Sequence, residues 1–102
     1  MPRIEPFSTA SRRVGTATLI QVHGELDCAT VPSLEGDVDS ALNEGPVVLD
    51  LRELRFMDVS GLRMAVRLEA RAQLHGVSFS LLEGRGPASR VFELTGVRRF
   101  IS

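Results

Sequence analysis

The sequence predicts a sheet domain of the α/β or α+β class, and three features carry that expectation. Runs of β-branched and aliphatic residues fall at 16–23, 47–51 and 77–82. Between them, apolar residues recur at helical spacing, first Leu34, Val38, Ala41 and Leu42, then Leu62, Ala65, Val66, Leu68 and Ala72. Glycine and proline punctuate the junctions, at Gly45-Pro46, Gly76 and Pro87. At 102 residues the chain suits a single domain, 1–102, with no length left for a second.

In chain order, residues 7–13 predict an edge strand that turns near Gly15. Residues 16–23 then alternate, Thr18, Ile20 and Val22 on one face and Leu19, Gln21 and His23 on the other, as a half-buried strand does. A helix over 32–43 follows, with Thr30 as N-cap and Pro32 in its first turn. The nearly continuous apolar run at 47–51 suits a central strand covered on both faces. After a linker, a second helix starts at a cap supplied by Asp58 or Ser60 and stops before Gly76. A strand over 77–82 leads to a last helix from Pro87, with Val91, Phe92 and Leu94 on one face and Gly96 at its end. Phe79, Phe92 and Phe56 are the aromatic core candidates.

Composition excludes several function classes. Twelve Lys and Arg against thirteen Asp and Glu give a net charge of −1, so no basic field exists to hold a nucleic acid. The single Cys28 can form neither an internal disulfide nor a Cys-rich metal site, which suggests a reducing, cytoplasmic setting. Neither an export signal nor a run of ~18 apolar residues is visible, so no membrane insertion is expected. His23 and His75 lack partners at metal-ligand spacing, and no metal is expected. A catalytic serine is disfavoured because position 58 is Asp, which breaks the Gly-x-Ser-x-Gly elbow, and because nothing supplies a clear oxyanion hole. No Gly-rich phosphate loop is present, so neither a nucleotide nor another cofactor is expected on this chain.

Two segments remain as sites. Gly24-Glu25-Leu26-Asp27 follows the strand over 16–23 and is expected in a loop at its carboxyl end. Asp58-Val59-Ser60-Gly61-Leu62 lies where the linker enters a helix. Loops beyond the carboxyl ends of neighbouring strands gather on one edge, which would bring Asp27 and Ser60 together. A phosphate on Ser60 would add about −1.5 to −2 charges there, attracted by the helix N-terminus and repelled by the aspartates. Read locally, a simple helix cap at Ser60 or Asp58 is the commoner explanation, since caps are frequent. Arg63, Arg67 and Arg71 form one stripe, either a solvated face or a match to an acidic partner. Met57 and Leu62 are either core or apolar anchors for a partner.

These blocks, Gly24-Glu25-Leu26-Asp27 with Thr30, Val48-Leu49-Asp50-Leu51, Phe56 through Leu62, Gly76 and Glu93-Leu94-Thr95-Gly96, together resemble a STAS domain of the bacterial anti-sigma factor antagonist family. The resemblance runs from about residue 7 to 100. It implies an α/β fold with a mixed sheet of about four strands and helices mainly on one face. It also implies a non-enzymatic protein whose unphosphorylated form binds a kinase-type anti-sigma factor and so frees a sigma factor. The ATP-dependent kinase would phosphorylate Ser60, and a serine phosphatase would reset the switch. On this reading Asp27, Thr30, Met57, Asp58, Val59, Ser60, Gly61, Leu62 and Arg63 form the partner-binding edge. Val59 departs from the family's commonest form, in which a second hydroxyl residue precedes the acceptor. STAS domains also serve as subunits of lipid and anion transporters and in signalling scaffolds; a free-standing chain with Ser60 retained points to the antagonist branch.

Overall fold

A two-residue loop joins the first two strands, β1 (Ser8–Val14) and β2 (Ala17–Leu26), into an antiparallel hairpin registered from Ser8 opposite His23 to Val14 opposite Ala17. Gly15 opens that loop at a φ of +63°, a conformation tight hairpin loops require and side chains resist. The structure, a computed structural model, describes residues 6–95. Along β2, Thr18, Ile20 and Val22 are buried while Leu19, Gln21 and His23 are half-buried, as the alternation predicts. Helix α1 (Val31–Leu42) turns Leu34, Val38, Ala41 and Leu42 inward, with Pro32 in its first turn. Strand β3 (Val47–Asp50) then runs parallel to β2.

The segment after β3, expected to be a linker, contains a further strand, β4 (Leu54–Met57). It pairs in parallel with Gly24 to Leu26 of β2, next to the stretch from Thr18 to Gln21 that pairs with β3. The sheet therefore has five strands rather than about four, with β3 and β4 following each other along β2. A register shift between Gly24 and Glu25 accommodates the break. The same pairing corrects a second expectation: Gly24, Glu25 and Leu26 are strand residues, and only Asp27 lies beyond the end of β2. Helix α2 (Val59–His75) stops at Gly76, which takes the left-handed conformation with φ of +70°. Strand β5 (Phe79–Leu82) pairs in parallel with β3 and makes β3 central, in the order β1-β2-β3-β5. Helix α3 (Pro87–Thr95) packs on β4. The expected stop of this helix at Gly96 lies outside the described residues.

One core joins Ile20, Val22 and Leu26 of β2, the inward faces of all three helices, Leu49 and Phe79. Three expectations about it change. Phe56 is 45% exposed, because β4 turns Leu54 and Met57 inward instead. Val66 is exposed and Met64 takes a core position on α2. Leu94 is 87% exposed, since the buried face of α3 is set by Ala88 and Phe92, one turn apart, with Val91 at its edge.

Among the described residues a single charged side chain is buried, Asp50 at the end of β3, which is 1% exposed. It accepts hydrogen bonds from Arg52 through its backbone N–H (3.0 Å), Nε (2.9 Å) and a terminal guanidinium nitrogen (2.8 Å), and from the Gln21 amide at 3.5 Å. This arrangement fixes the turn between β3 and β4 to β2. The Arg52 side-chain bonds hold the Asp50 carboxyl down at about 2, against burial, which pushes it up. A carboxyl depressed in the folded state contributes stability above its unfolded value of about 4 and loses it as pH falls through about 2. The expected contribution at neutral pH is about 2 kcal/mol. Urea unfolding of wild type and Asp50→Asn between pH 7 and 2 tests this: the gap between them should close in that acid window, and a pH-independent gap would refute the linkage.

Candidate functional site

Asp27 and Asp58 directly follow two neighbouring parallel strands, since Leu26 is opposite Met57 and the Asp58 N–H donates to the Leu26 carbonyl at 3.2 Å. Each aspartate organises the turn that follows it. The Asp27 carboxylate accepts from the N–H groups of Ala29 (2.9 Å) and Thr30 (3.2 Å), while the Thr30 hydroxyl accepts from the Asp27 N–H at 3.0 Å. This reciprocal pair is a capping box, and the Val31 N–H to Asp27 carbonyl bond at 2.9 Å closes the turn. Thr30 stands at the N-cap of α1, as expected, but its side chain makes no capping bond to the helix; its hydroxyl instead donates back to the Glu25 carbonyl at 2.8 Å. Capping has moved to Asp27 because the turn begins three residues before the regular helix.

At α2 the cap is Asp58, whose backbone is extended and whose carboxylate accepts from the Ser60 N–H at 2.8 Å. Ser60 is therefore the second residue of the helix, not its cap. Gly61 explains how the helix comes so close: a Cβ there would stand 2.9 Å from Leu26 Cδ2 and from Met57 Cε. Without a side chain, the first turn of α2 packs directly on the ends of β2 and β4. Ser60 is half-buried, and its hydroxyl makes no hydrogen bond with a described residue.

Ser60 opens onto a groove of ≈ 290 Å³ between α1 and α2, lined also by Cys28, Val31, Pro32, Glu35, Arg63 and Arg67. The arginine stripe of α2 is partly consumed there. Arg67 binds Glu35 with both arms of its fork, at 2.7 and 3.0 Å, and Arg71 binds the same carboxylate at 2.9 Å. Arg71 also approaches Asp39 at 3.7 Å. The Arg67 hydrogen bonds in particular hold the Glu35 carboxyl below its usual value. Arg63 is exposed and makes no ion pair among the described residues.

The structure thus separates the expected edge into three groups. Val59, 48% exposed, together with Ser60 and Arg63, presents atoms to solvent. Asp27, Thr30 and Asp58 are half-buried and occupied in holding backbone, so neither carboxylate orients the Ser60 hydroxyl. Met57, Gly61 and Leu62 are buried beneath the helix start, where Met57 and Leu62 belong to the core. Sequence reasoning missed Glu35. The matching four-residue spacings of Glu35 and Asp39 and of Arg67 and Arg71 are the signal that could have found it. No group of three or more His, Cys, Asp or Glu among the described residues is arranged to hold a metal ion. Nor is any described helix long and apolar enough to cross a membrane.

The fold is similar to solved anti-sigma factor antagonists. An anti-sigma factor antagonist from Mycobacterium paratuberculosis superposes with a TM-score of 0.82 at 24% identity, covering 94% of this chain and 83% of that one. SpoIIAA, an anti-sigma factor antagonist, is similar in its unphosphorylated form with a TM-score of 0.76 at 19% identity, covering 93% and 86%. The phosphorylated form of SpoIIAA, a Bacillus cell fate determinant, gives 0.70 at 19% identity, covering 93% and 89%. At these identities the likeness concerns the fold. The STAS domain family itself matches residues 9–102, and with nearly the whole sequence inside that match, the chain belongs to the STAS domain family.

Proposed function

We propose that this chain is an anti-sigma factor antagonist switched by phosphorylation of Ser60. In its unphosphorylated form it binds a kinase-type anti-sigma factor in the cytoplasm and thereby frees a sigma factor. The kinase transfers the γ-phosphoryl group of ATP to the Ser60 oxygen, with loss of the hydroxyl proton and release of ADP. A serine phosphatase hydrolyses the ester and restores binding. The chain contributes no catalytic residue and no cofactor of its own.

The observation that carries this reading is the state of Ser60: its amide is fixed by Asp58, whereas its hydroxyl is without a hydrogen bond to any described residue at the mouth of a groove. An acceptor needs a rigid backbone and an available oxygen, and both are present. The exposed neighbours Val59 and Arg63 offer a partner one apolar and one cationic contact beside the acceptor. That SpoIIAA adopts a similar fold in both phosphorylation states supports a switch that changes the surface and leaves the fold intact.

Incubation of the chain with ATP and each kinase-type anti-sigma factor of its host, followed by intact mass and phosphosite mapping, should give one phosphate on Ser60 and none in Ser60→Ala. In binding assays Ser60→Ala should retain the partner, while phosphoserine or Ser60→Asp should weaken binding on the order of tenfold or more, as an unpaired charge in a contact does. Equal binding by all forms would overturn the switch.

A further inference from the structure

We infer that Arg63 is the side chain that takes up the phosphate on Ser60, so that the modification both adds an anion to the docking edge and withdraws a cation from it. This rests on the reading of Ser60 as the phosphoacceptor and adds a residue that carries the signal.

The amide donors that a helix start normally offers an anion are already engaged: the Ser60 N–H lies 2.8 Å from the Asp58 carboxylate, and the Gly61 N–H bonds the Asp58 carbonyl at 3.1 Å. The carboxylates of Asp58 beside it and Glu35 across the groove repel a dianion. Its counter-charge must therefore come from a side chain. Two arginines line the groove with Ser60. Arg67 is held by both oxygens of Glu35, and drawing it away would leave that carboxylate facing the phosphate with one cation fewer. Arg63 has no competing partner among the described residues and stands three positions after Ser60, one helical turn on, where side chains meet. A guanidinium fork suits phosphate oxygens in two-point contact.

In the unmodified chain Arg63 is then free to meet an acidic group on a partner, and in the phosphorylated chain it is occupied. Both changes act in the same direction on binding.

The test uses full-length chain with phosphoserine installed at position 60 during translation, so that no kinase is needed. Phosphorus NMR titration reads the second ionisation of the phosphate. In the wild-type background it should lie roughly half a unit below its value in Arg63→Ala, because a neighbouring cation favours the dianion. Arg63→Lys should keep part of the shift, and Arg67→Ala should change it less than Arg63→Ala does. Identical titrations in wild type and Arg63→Ala, or a larger effect from Arg67→Ala, would overturn the assignment. Arg63 is exposed, so these variants should fold, and circular dichroism checks that they do. Absence of kinase-dependent phosphate on Ser60 would instead refute the reading beneath it, independently of the titration.

Discussion

Phe92→Ala should lower the unfolding free energy by about 3–5 kcal/mol, the range for truncating a fully buried phenylalanine. Phe92 is 0% exposed and, with Ala88 one turn earlier, forms the buried face by which α3 rests on β4. A helix of nine residues has little stability alone and holds its shape through docking. Beyond β2, its only strand partner among the described residues, β4 relies on that cover. Losing the ring leaves a cavity and loosens the strand that runs straight into the Asp58 cap. For a small domain, with total stability of about 5–15 kcal/mol, this is a large fraction. Urea denaturation should show a much lower midpoint, while Leu94→Ala, on the exposed side of the same helix, should stay within about 0.5 kcal/mol of wild type. An unchanged midpoint for Phe92→Ala would refute its place in the core.

The contrast between these two residues also shows where the sequence was informative. Regular elements with strong periodicity were legible: β2 from its alternation, β3 from its apolar run, and α1 and α2 from their stripes and glycine stops. On α3 the helix and its core residue Phe92 were legible and the full extent of the buried face was not, because small Ala88 belongs to the face and bulky Leu94 lies off it. Strand β4 was hidden for a physical reason. Its four residues read buried, exposed, exposed, buried, so no period-2 signal exists, and the exposed pair includes the large apolar Phe56. Missing β4 also left Gly24 to Leu26 looking like a loop, since their strand character comes from a partner distant in sequence. At the site, Ser60 and its acidic neighbours were legible as residues, but their roles depend on geometry. That Asp27 rather than Thr30 supplies the side-chain capping bonds follows from a turn shape that no local pattern encodes, and that Glu35 engages Arg67 and Arg71 follows from a helix pairing of which the sequence carries only the matching four-residue spacings.

Gly24→Ala should be the most damaging single methyl addition in the hairpin, costing about 2–4 kcal/mol. Gly24 has a φ of +95°, which an alanine adopts only at a penalty of about 1–2 kcal/mol. Space is the second obstacle. A Cβ at this position would stand 2.8 Å from Phe7 Cα, 3.0 Å from Phe7 N and 3.0 Å from the Pro6 carbonyl oxygen. All three are backbone atoms, so no rotamer change relieves the contact, and the segment entering β1 must move away from β2. The entropic gain of replacing glycine, roughly 0.4–1 kcal/mol through the unfolded chain, does not offset this. Gly15→Ala separates the two causes. Gly15 also has positive φ, at +63°, but nothing lies within 4 Å of its added Cβ, so it should show the conformational penalty alone. Gly24 also sits at the register shift where β2 passes to its pairing with β4, two residues before Leu26 delivers the chain to Asp27. Its replacement should therefore weaken partner binding as well as stability, whereas Gly15→Ala, at the far end of the hairpin, should affect stability only. Urea midpoints for the two variants decide the matter: if Gly24→Ala costs no more than Gly15→Ala, close approach of the backbone is not what requires glycine at the end of β2.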